Sequence, residues 1–491
     1  MNLKIISLAG LLLILANSDC SAFDPEKGTY KVGFSSFKVY DHSRKYALGQ
    51  DSISRPLLIH LWYPALENDL SLALDYKHYI DLIAQREDYE ISRPDIDNFS
   101  FNYVKAYSDY AKSSFGLDTS ISARQILASP VFAKGGLSLP KNDPPLPLLI
   151  YAPSNGKASV QNHMICEHLA SHGFMILSVA SAGPNSIKRE AMEESTIAQV
   201  MDMEYILSYL VDSLHIQYSS LGVFGFSTGG NAIALFQMRN KQVGAVLSMD
   251  GSHEYSYYLK LYKMEEFDPG KMDVPYLSMV NSHEDYSIYP YYNSIASTEK
   301  TMLRMPYLDH FGFVSSWRFF ESCSADPDLS KLGISYDHMS ACALGFFNKY
   351  LKPCLSSEDE PKCCETSTEY IQVLDQTHAS ISKLCNFILD HDTDAAASYL
   401  HENKSVFLAQ EDEINILAKM LQDNYVDISI LLLQFNIEKH PNSWQPYYFL
   451  AQVYKNNEEP SLAKSALLKA QEFNPENTEI SDLLNEITSE E

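Results

Sequence analysis

The sequence predicts an α/β fold, with a doubly wound and mostly parallel sheet, followed by an all-α helical domain. Between about residues 146 and 250, short apolar runs alternate with helical runs, a spacing typical of βαβ units. Beyond about residue 370 only helical periodicity remains. The chain has 491 residues, enough for two hydrophobic cores.

The N-terminus predicts export. Lys4 provides a positive start, and residues 5–16 form an apolar run that is too short to span a bilayer core of about 30 Å. Small residues at Cys20 and Ala22 suit cleavage before Phe23, which gives a signal peptide over 1–22. We therefore expect a secreted or periplasmic protein without a transmembrane segment.

The charge balance excludes one class of partner. The chain has 37 basic and 63 acidic residues, a net charge of -26, which repels phosphate backbones. Nucleic acid is therefore not an expected partner.

Eight cysteines are present, of which Cys20 leaves with the signal peptide. Cys166 lies in an apolar helical pattern and is predicted to be a buried thiol. The crowding of cysteines from Cys342 to Cys385 predicts two disulfides there. The adjacent pair Cys363 and Cys364 lacks the second CxxC of a zinc site. We predict neither a metal nor a cofactor.

The predicted elements follow in chain order. Strands are expected at 30–40, 55–64, 146–151, 174–179, 221–225, 245–249 and 275–280, and helices at 160–172, 195–214, directly after 227, and 336–351. Residues 65–127 are polar, rich in tyrosine and partly helical, and we interpret them as an insertion. In a doubly wound sheet, ligands bind at the carboxyl ends of the strands.

The clearest chemical motif stands between a strand and a helix. The segment Gly225-Phe226-Ser227-Thr228-Gly229 follows an apolar strand and precedes an apolar helical start. Flanking glycines permit a sharp strand-to-helix turn that exposes the serine hydroxyl. Ser227 is therefore the candidate nucleophile.

A serine nucleophile needs a histidine base. In a fold whose chain order is Ser, acid, His, the base follows a late strand, and His310 fits this position. The rivals are His253, which comes too early, and His283. For the orienting acid, Asp250 ends one strand while Glu284 and Asp285 follow the next, and spacing alone does not decide between them.

Several segments carry a family resemblance. The runs RPLLIHLWYPA, LPLLIYAPSNG, ICEHLASHGF, GVFGFSTGG, SMDGS and DHFGFVSSW resemble, in this order, the platelet-activating factor acetylhydrolase and dienelactone hydrolase-like branch of the α/β-hydrolases. In the acetylhydrolase branch the acid follows the strand after the nucleophile helix, which implies Asp250, with Asp285 as the fallback. The resemblance also implies an oxyanion hole from the backbone N–H groups of Thr228 and Asn155.

The C-terminal region resembles tetratricopeptide repeats. Pro441 and Pro475 are 34 residues apart, the period of such repeats. The unit that ends at Pro475 matches at Leu450, Ala451, Tyr454, Ala463, Leu467 and Ala470. We expect a catalytic domain over 23–360 and a helical domain over 370–491. The helical domain is either a cap docked on the first domain or an arm that binds a protein partner.

These observations predict an exported serine esterase that hydrolyses carboxyl esters through a Ser-His-Asp triad and an acyl-enzyme. The expected substrate is a small-molecule or lipid ester, and the sequence does not specify its acyl or leaving group. A serine peptidase of the same fold and a catalytically silent, repeat-bearing binding protein are the alternatives.

Overall fold

The computed structural model describes most of the chain. The described residues are 27–65, 71–115, 122–138, 144–154, 156–186, 192–282, 288–316, 318, 327–352, 368–374 and 379–490. The predicted signal peptide, 1–22, lies outside these ranges.

One mixed sheet forms the centre of the described structure. Its strands are β1 (Lys31–Leu48), β2 (Asp51–Ala65), β3 (Leu72–Asp75), β4 (Pro130–Gly135), β5 (Leu146–Ala152), β6 (Met175–Val179), β7 (Tyr218–Phe226), β8 (Val243–Met249), β9 (Tyr276–Val280), β10 (Lys300–Arg304) and β11 (Gln372–Val373). Their spatial order is β11-β10-β9-β8-β7-β5-β6-β2-β1-β4-β3. Neighbours from β10 through to β6 pair in parallel, whereas β2 pairs with β6 and with β1 in antiparallel fashion. The predicted mostly parallel sheet is confirmed.

Helices connect the strands and continue beyond the sheet. They are α1 (Tyr76–Ala84), α2 (Arg93–Phe115), α3 (Ala123–Leu127), α4 (His163–Ser171), α5 (Met192–Ser208), α6 (Thr228–Arg239), α7 (Tyr258–Leu261), α8 (Pro290–Ser294), α9 (Pro327–Leu351), α10 (Ala379–Asp390), α11 (Thr393–Glu402), α12 (Lys404–Phe407), α13 (Glu411–Leu421), α14 (Val426–Lys439), α15 (Gln445–Asn456), α16 (Pro460–Phe473) and α17 (Thr478–Glu490). Single turns of other helix types lie at Ser159–Asn162, Tyr209–Ser213, Ser252–Glu254, Pro269–Lys271 and His310–Phe313. Within the described residues, every helix is too short or too polar to cross a lipid bilayer.

Helices cover both faces of the sheet because its strands are apolar on both sides. On β7, Phe224 packs with the cluster that includes α4 and α9, and the adjacent Val223 packs with the cluster that includes α5 and α6. Side chains of successive strand residues point to opposite faces, so a run buried on both sides requires two helical layers. The sheet is therefore doubly wound, as predicted.

The segment between β2 and β4, interpreted as an insertion, extends the sheet at the edge opposite β11. Its strand β3 pairs with β4 in antiparallel fashion, and β4 lies beside β1. Its helix α1 begins at the cap Asp75, whose carboxylate accepts a hydrogen bond from the backbone N–H of His78. The carboxylate of Glu167 on α4 accepts hydrogen bonds from Tyr79 on α1 and from the backbone N–H of Ala133 on β4. A single buried carboxylate thus joins the insertion to the sheet's helical layer.

The C-terminal helices pack against one another in succession, with α13 against α14 and α15 against α16. Ala451 on α15 and Ala463, Leu467 and Ala470 on α16 are all fully buried. The small side chains of the three alanines allow the two helices to approach closely. A run of helices after the sheet is therefore confirmed, and their assignment to a repeat family stays a prediction, as do the domain boundaries.

The cysteine pattern differs from the expectation. Cys166, Cys342 and Cys385 are buried thiols and are not part of a disulfide. The stretch from Cys342 to Cys385 contains five cysteines with both ends included, and its two end residues are thiols, so three are left. The prediction of two disulfides within this stretch was wrong, because both end residues lie inside helices whose packing buries them among apolar side chains. Cys323, Cys354, Cys363 and Cys364 lie outside the described residues.

Candidate active site

The carboxyl ends of the central strands lie at one edge of the sheet. In the register of the parallel pairs, Ala152 lies opposite Gly225, Phe226 opposite Met249, and Met249 opposite Met279. The residues that follow these strands therefore meet at one edge, as expected for a doubly wound sheet.

Ser227 is held in a strained turn between β7 and α6. Its backbone has φ 56° and ψ -122°, a conformation that side-chain-bearing residues rarely adopt. The turn is fixed on both sides, because Ser227 N donates to Met249 O and Ser227 O accepts from Gly230 N. Ser227 precedes the helix as its cap, yet its hydroxyl makes no capping hydrogen bond. The hydroxyl is therefore directed away from the helix.

The glycines around Ser227 are required by close backbone contacts. A Cβ atom on Gly225 would lie 2.6 Å from the carbonyl oxygen of Gly229. A Cβ atom on Gly229 would lie 2.1 Å from the carbonyl oxygen of Ala152 on β5. Both distances are far below a van der Waals contact, so only glycine permits the elbow to close onto the sheet.

His310 lies against Ser227. It opens the short turn His310–Phe313 after β10, and this turn begins at Asp309, whose carboxylate accepts from Gly312 N. His310 Nε2 is 3.0 Å from Ser227 Oγ. The ring of Phe226 packs 4.9 Å from the imidazole, centroid to centroid. Packing on one face fixes the ring while 39% of the histidine side chain stays accessible to a substrate.

Asp250 completes the line of side chains. It follows β8, has a positive φ of 49° and is fully buried. Its Oδ2 is 2.5 Å from His310 Nδ1, on the opposite side of the ring from Ser227. An imidazole with its proton on Nδ1 presents an acceptor at Nε2, the orientation that a serine hydroxyl needs.

Two further residues hold Asp250, and the sequence analysis did not identify either. Tyr255 donates its hydroxyl to Asp250 Oδ1 at 2.5 Å. Asn281, which directly follows β9, donates its backbone N–H to Oδ1 at 3.1 Å and its side-chain amide to Oδ2 at 3.0 Å. The position of Asn281 at a strand end was a usable signal, whereas Tyr255 is one of 32 tyrosines and carries none.

The loop after β5 approaches the elbow. Ser154 Oγ lies 3.3 Å from Thr228 Oγ1, and Gln199 on α5 donates to the carbonyl of Pro153 at 2.7 Å. Thr228 is the first residue of α6, at the positive end of the helix dipole. Asn155, the second predicted oxyanion donor, lies outside the described residues.

The rival residues have other positions. His253 is fully buried, its Nε2 lies 2.8 Å from the hydroxyl of Tyr276, and burial lowers its pKa to about 3. It is a core histidine that does not reach Ser227 by any hydrogen bond in the described structure. His283, Glu284 and Asp285 lie outside the described residues.

Comparisons with known proteins add little to this geometry. No family model matches the chain, and no curated protein matches it either. Among solved structures, the ferulic acid esterase from Streptomyces cinnamoneus is similar with a TM-score of 0.48 and 14% sequence identity, over 72% of this chain and 99% of the esterase.

Proposed function

We propose that the protein is an exported serine esterase of the α/β-hydrolase type, in which Ser227, His310 and Asp250 act as nucleophile, base and orienting acid. The substrate is a small-molecule or lipid carboxyl ester. The observation that carries the proposal is the continuous line from Ser227 Oγ through both ring nitrogens of His310 to Asp250, with distances of 3.0 Å and 2.5 Å. Such a line converts a weakly nucleophilic hydroxyl into an activated one.

The acylation step follows from this arrangement. Ser227 Oγ attacks the ester carbonyl carbon while its proton passes to His310 Nε2. Asp250, buried against Nδ1 of the ring, stabilises the imidazolium that forms. The backbone N–H of Thr228 donates to the oxyanion, together with a donor from the loop after β5, for which the family resemblance implies Asn155. Collapse of the tetrahedral intermediate releases the alcohol, which takes the proton from His310.

Deacylation repeats the same steps with water. His310 removes a proton from water, the resulting hydroxide adds to the acyl carbon, and Ser227 leaves with the proton returned by the imidazolium. The exposed fraction of His310 leaves room for this water beside the acyl-enzyme.

The direct test is hydrolysis of p-nitrophenyl esters of graded acyl length by mature protein. We expect Ser227→Ala and His310→Ala to lower kcat/KM by several orders of magnitude, because the remaining catalysis comes only from the oxyanion hole and binding. Ser219→Ala is the matched control, since Ser219 is exposed at the opposite end of the same strand. Near wild-type turnover by the Ser227→Ala protein would refute the proposal.

A further inference from the structure

Tyr255 is one of two residues that hold the carboxylate of Asp250 in place beside His310. Its hydroxyl donates to Oδ1, which also accepts from the backbone N–H of Asn281, while His310 lies against Oδ2. A carboxylate held by charge-assisted hydrogen bonds on both oxygens has little freedom to rotate about its Cβ–Cγ bond. The placement of Tyr255 therefore affects the geometry of the catalytic residues without any contact to substrate.

The segment that follows Tyr255 is attached to the first helix of the C-terminal region. Tyr258 N donates to Tyr255 O at 3.0 Å and begins helix α7. The fully buried Tyr258 donates its hydroxyl to Asn386 Oδ1 on α10 at 3.0 Å. One turn later, Tyr262 donates to the carboxylate of Asp390 at 3.1 Å, at the end of the same helix. Helix α10 thus holds the backbone from which Tyr255 projects.

A second contact to Tyr255 comes from Tyr289. The ring of Tyr289 lies 6.2 Å from the ring of Tyr255. The preceding residue, Ile288, is buried against α10, and its carbonyl accepts a hydrogen bond from Ser382 at 2.8 Å. In the adjoining helix α8, Ser294 accepts from Asn386 at 2.7 Å. Both segments that flank Tyr255 are therefore fixed by the same face of α10.

We propose that α10 is a positioning element of the active site, and that it acts on Asp250 through Tyr255. The C-terminal region then contributes to turnover as well as to stability. This inference rests on the proposed function, because it concerns the same Ser227, His310 and Asp250.

The experiment measures how fast Ser227 reacts with a fluorophosphonate probe. Ser227 Oγ forms a bond to phosphorus, fluoride leaves, and His310 takes the serine proton. The final extent of labelling counts the competent sites, whereas the rate constant reports how well each site activates its serine. Irreversibly unfolded protein lowers the extent alone, and labelling well below the melting temperature keeps the reversibly unfolded fraction negligible, so the two readouts separate positioning from stability. Steady-state kcat and KM for an ester are measured in parallel.

Three proteins are compared with wild type: Tyr255→Phe, an interface variant that combines Ser382→Ala with Asn386→Ala, and the combination of all three changes. We expect Tyr255→Phe to lower the labelling rate and kcat about tenfold, with KM nearly unchanged, because the hydrogen bond from Tyr255 to the carboxyl group of Asp250 is lost. The interface variant should have a labelling rate and a kcat about threefold to fivefold below those of wild type. Since both act through one side chain, the combined variant should match Tyr255→Phe, not the product of the two losses.

The control removes a hydrogen bond from the opposite side of α10. Gln410 donates to Ser380 on α10 at 2.7 Å, entirely within the C-terminal region. Gln410→Ala should leave the labelling rate unchanged even where it lowers the melting temperature.

Two results would overturn the inference while leaving the esterase proposal intact. One is an unchanged labelling rate in the interface variant. The other is a combined variant whose losses multiply, which would mean that α10 does not act through Tyr255. Wild-type protein that neither labels at Ser227 nor hydrolyses esters would instead refute the proposed function and this inference with it.

Discussion

Glu254 is a fully buried carboxyl group four residues after Asp250, and it gives a sharp prediction about stability and pH. Burial raises its pKa from 4.5 to about 7, against the opposing effect of hydrogen bonds from Tyr276 and Ser278. In the unfolded chain the same carboxyl ionises near pH 4.5. Below pH 4.5 the carboxyl group is protonated in both states and does not destabilise the folded protein. As the pH rises through about 7, the free energy of unfolding falls, because the folded state resists the ionisation that the unfolded chain permits.

The change Glu254→Gln removes this titration. Glutamine resembles the protonated acid in shape and hydrogen bonding but stays neutral at every pH. At about 1.36 kcal/mol for each pKa unit, a pKa raised from 4.5 to about 7 corresponds to about 3 kcal/mol. We expect the variant to exceed wild type in unfolding free energy by less than about 1 kcal/mol at pH 5 and by about 3 kcal/mol at pH 8.

Urea unfolding at both pH values, followed by circular dichroism, measures this difference. Other titrating groups are common to the two proteins and cancel in the comparison. Glu265→Gln serves as the control because Glu265 is exposed. A stability gap that is the same at pH 5 and pH 8 would show that Glu254 ionises as easily in the folded protein as in the unfolded chain, and would refute the reasoning.

Two further predictions concern the site. Asp250→Asn should lower kcat roughly 10⁴-fold by holding His310 in the wrong tautomer, whereas Asp285→Asn should be mild, and reversed effects would place the acid after β9. Gly229→Ala should abolish labelling of Ser227, since the added Cβ would lie 2.1 Å from Ala152 O. Gly135→Ala is the control, and it should leave labelling unchanged, because the added Cβ would come no closer than 3.4 Å to a leucine side chain.

The central part of the sheet and the position of Ser227 at its edge were predictable because their signals are local. The strand before Ser227, the glycines beside it and the helix after it all lie within about twenty residues of sequence. His310 could be placed from chain order. Asp250 could be preferred over Asp285 only through the family resemblance, since strand-end spacing fits both positions.

The supporting contacts were not predictable for a physical reason. Tyr255 and Asn281 act through side chains that converge only when β8 and β9 are in register. The attachment of α10 joins residues more than 90 positions apart, such as Ser382 and Ile288. The strands β3, β4, β10 and β11 are short and lie toward the sides of the sheet, where partial exposure weakens the apolar pattern.

The two-residue strand β11 has a consequence for solubility. It pairs with β10 at Leu303 and Arg304, and Leu374 N donates to Met302 O at 3.0 Å. An uncovered edge strand offers a row of backbone donors and acceptors to any other extended chain. On its way to α10 the polypeptide thus shields this edge of the sheet, and a protein shortened before Ile371 would expose β10 to edge-to-edge pairing between copies.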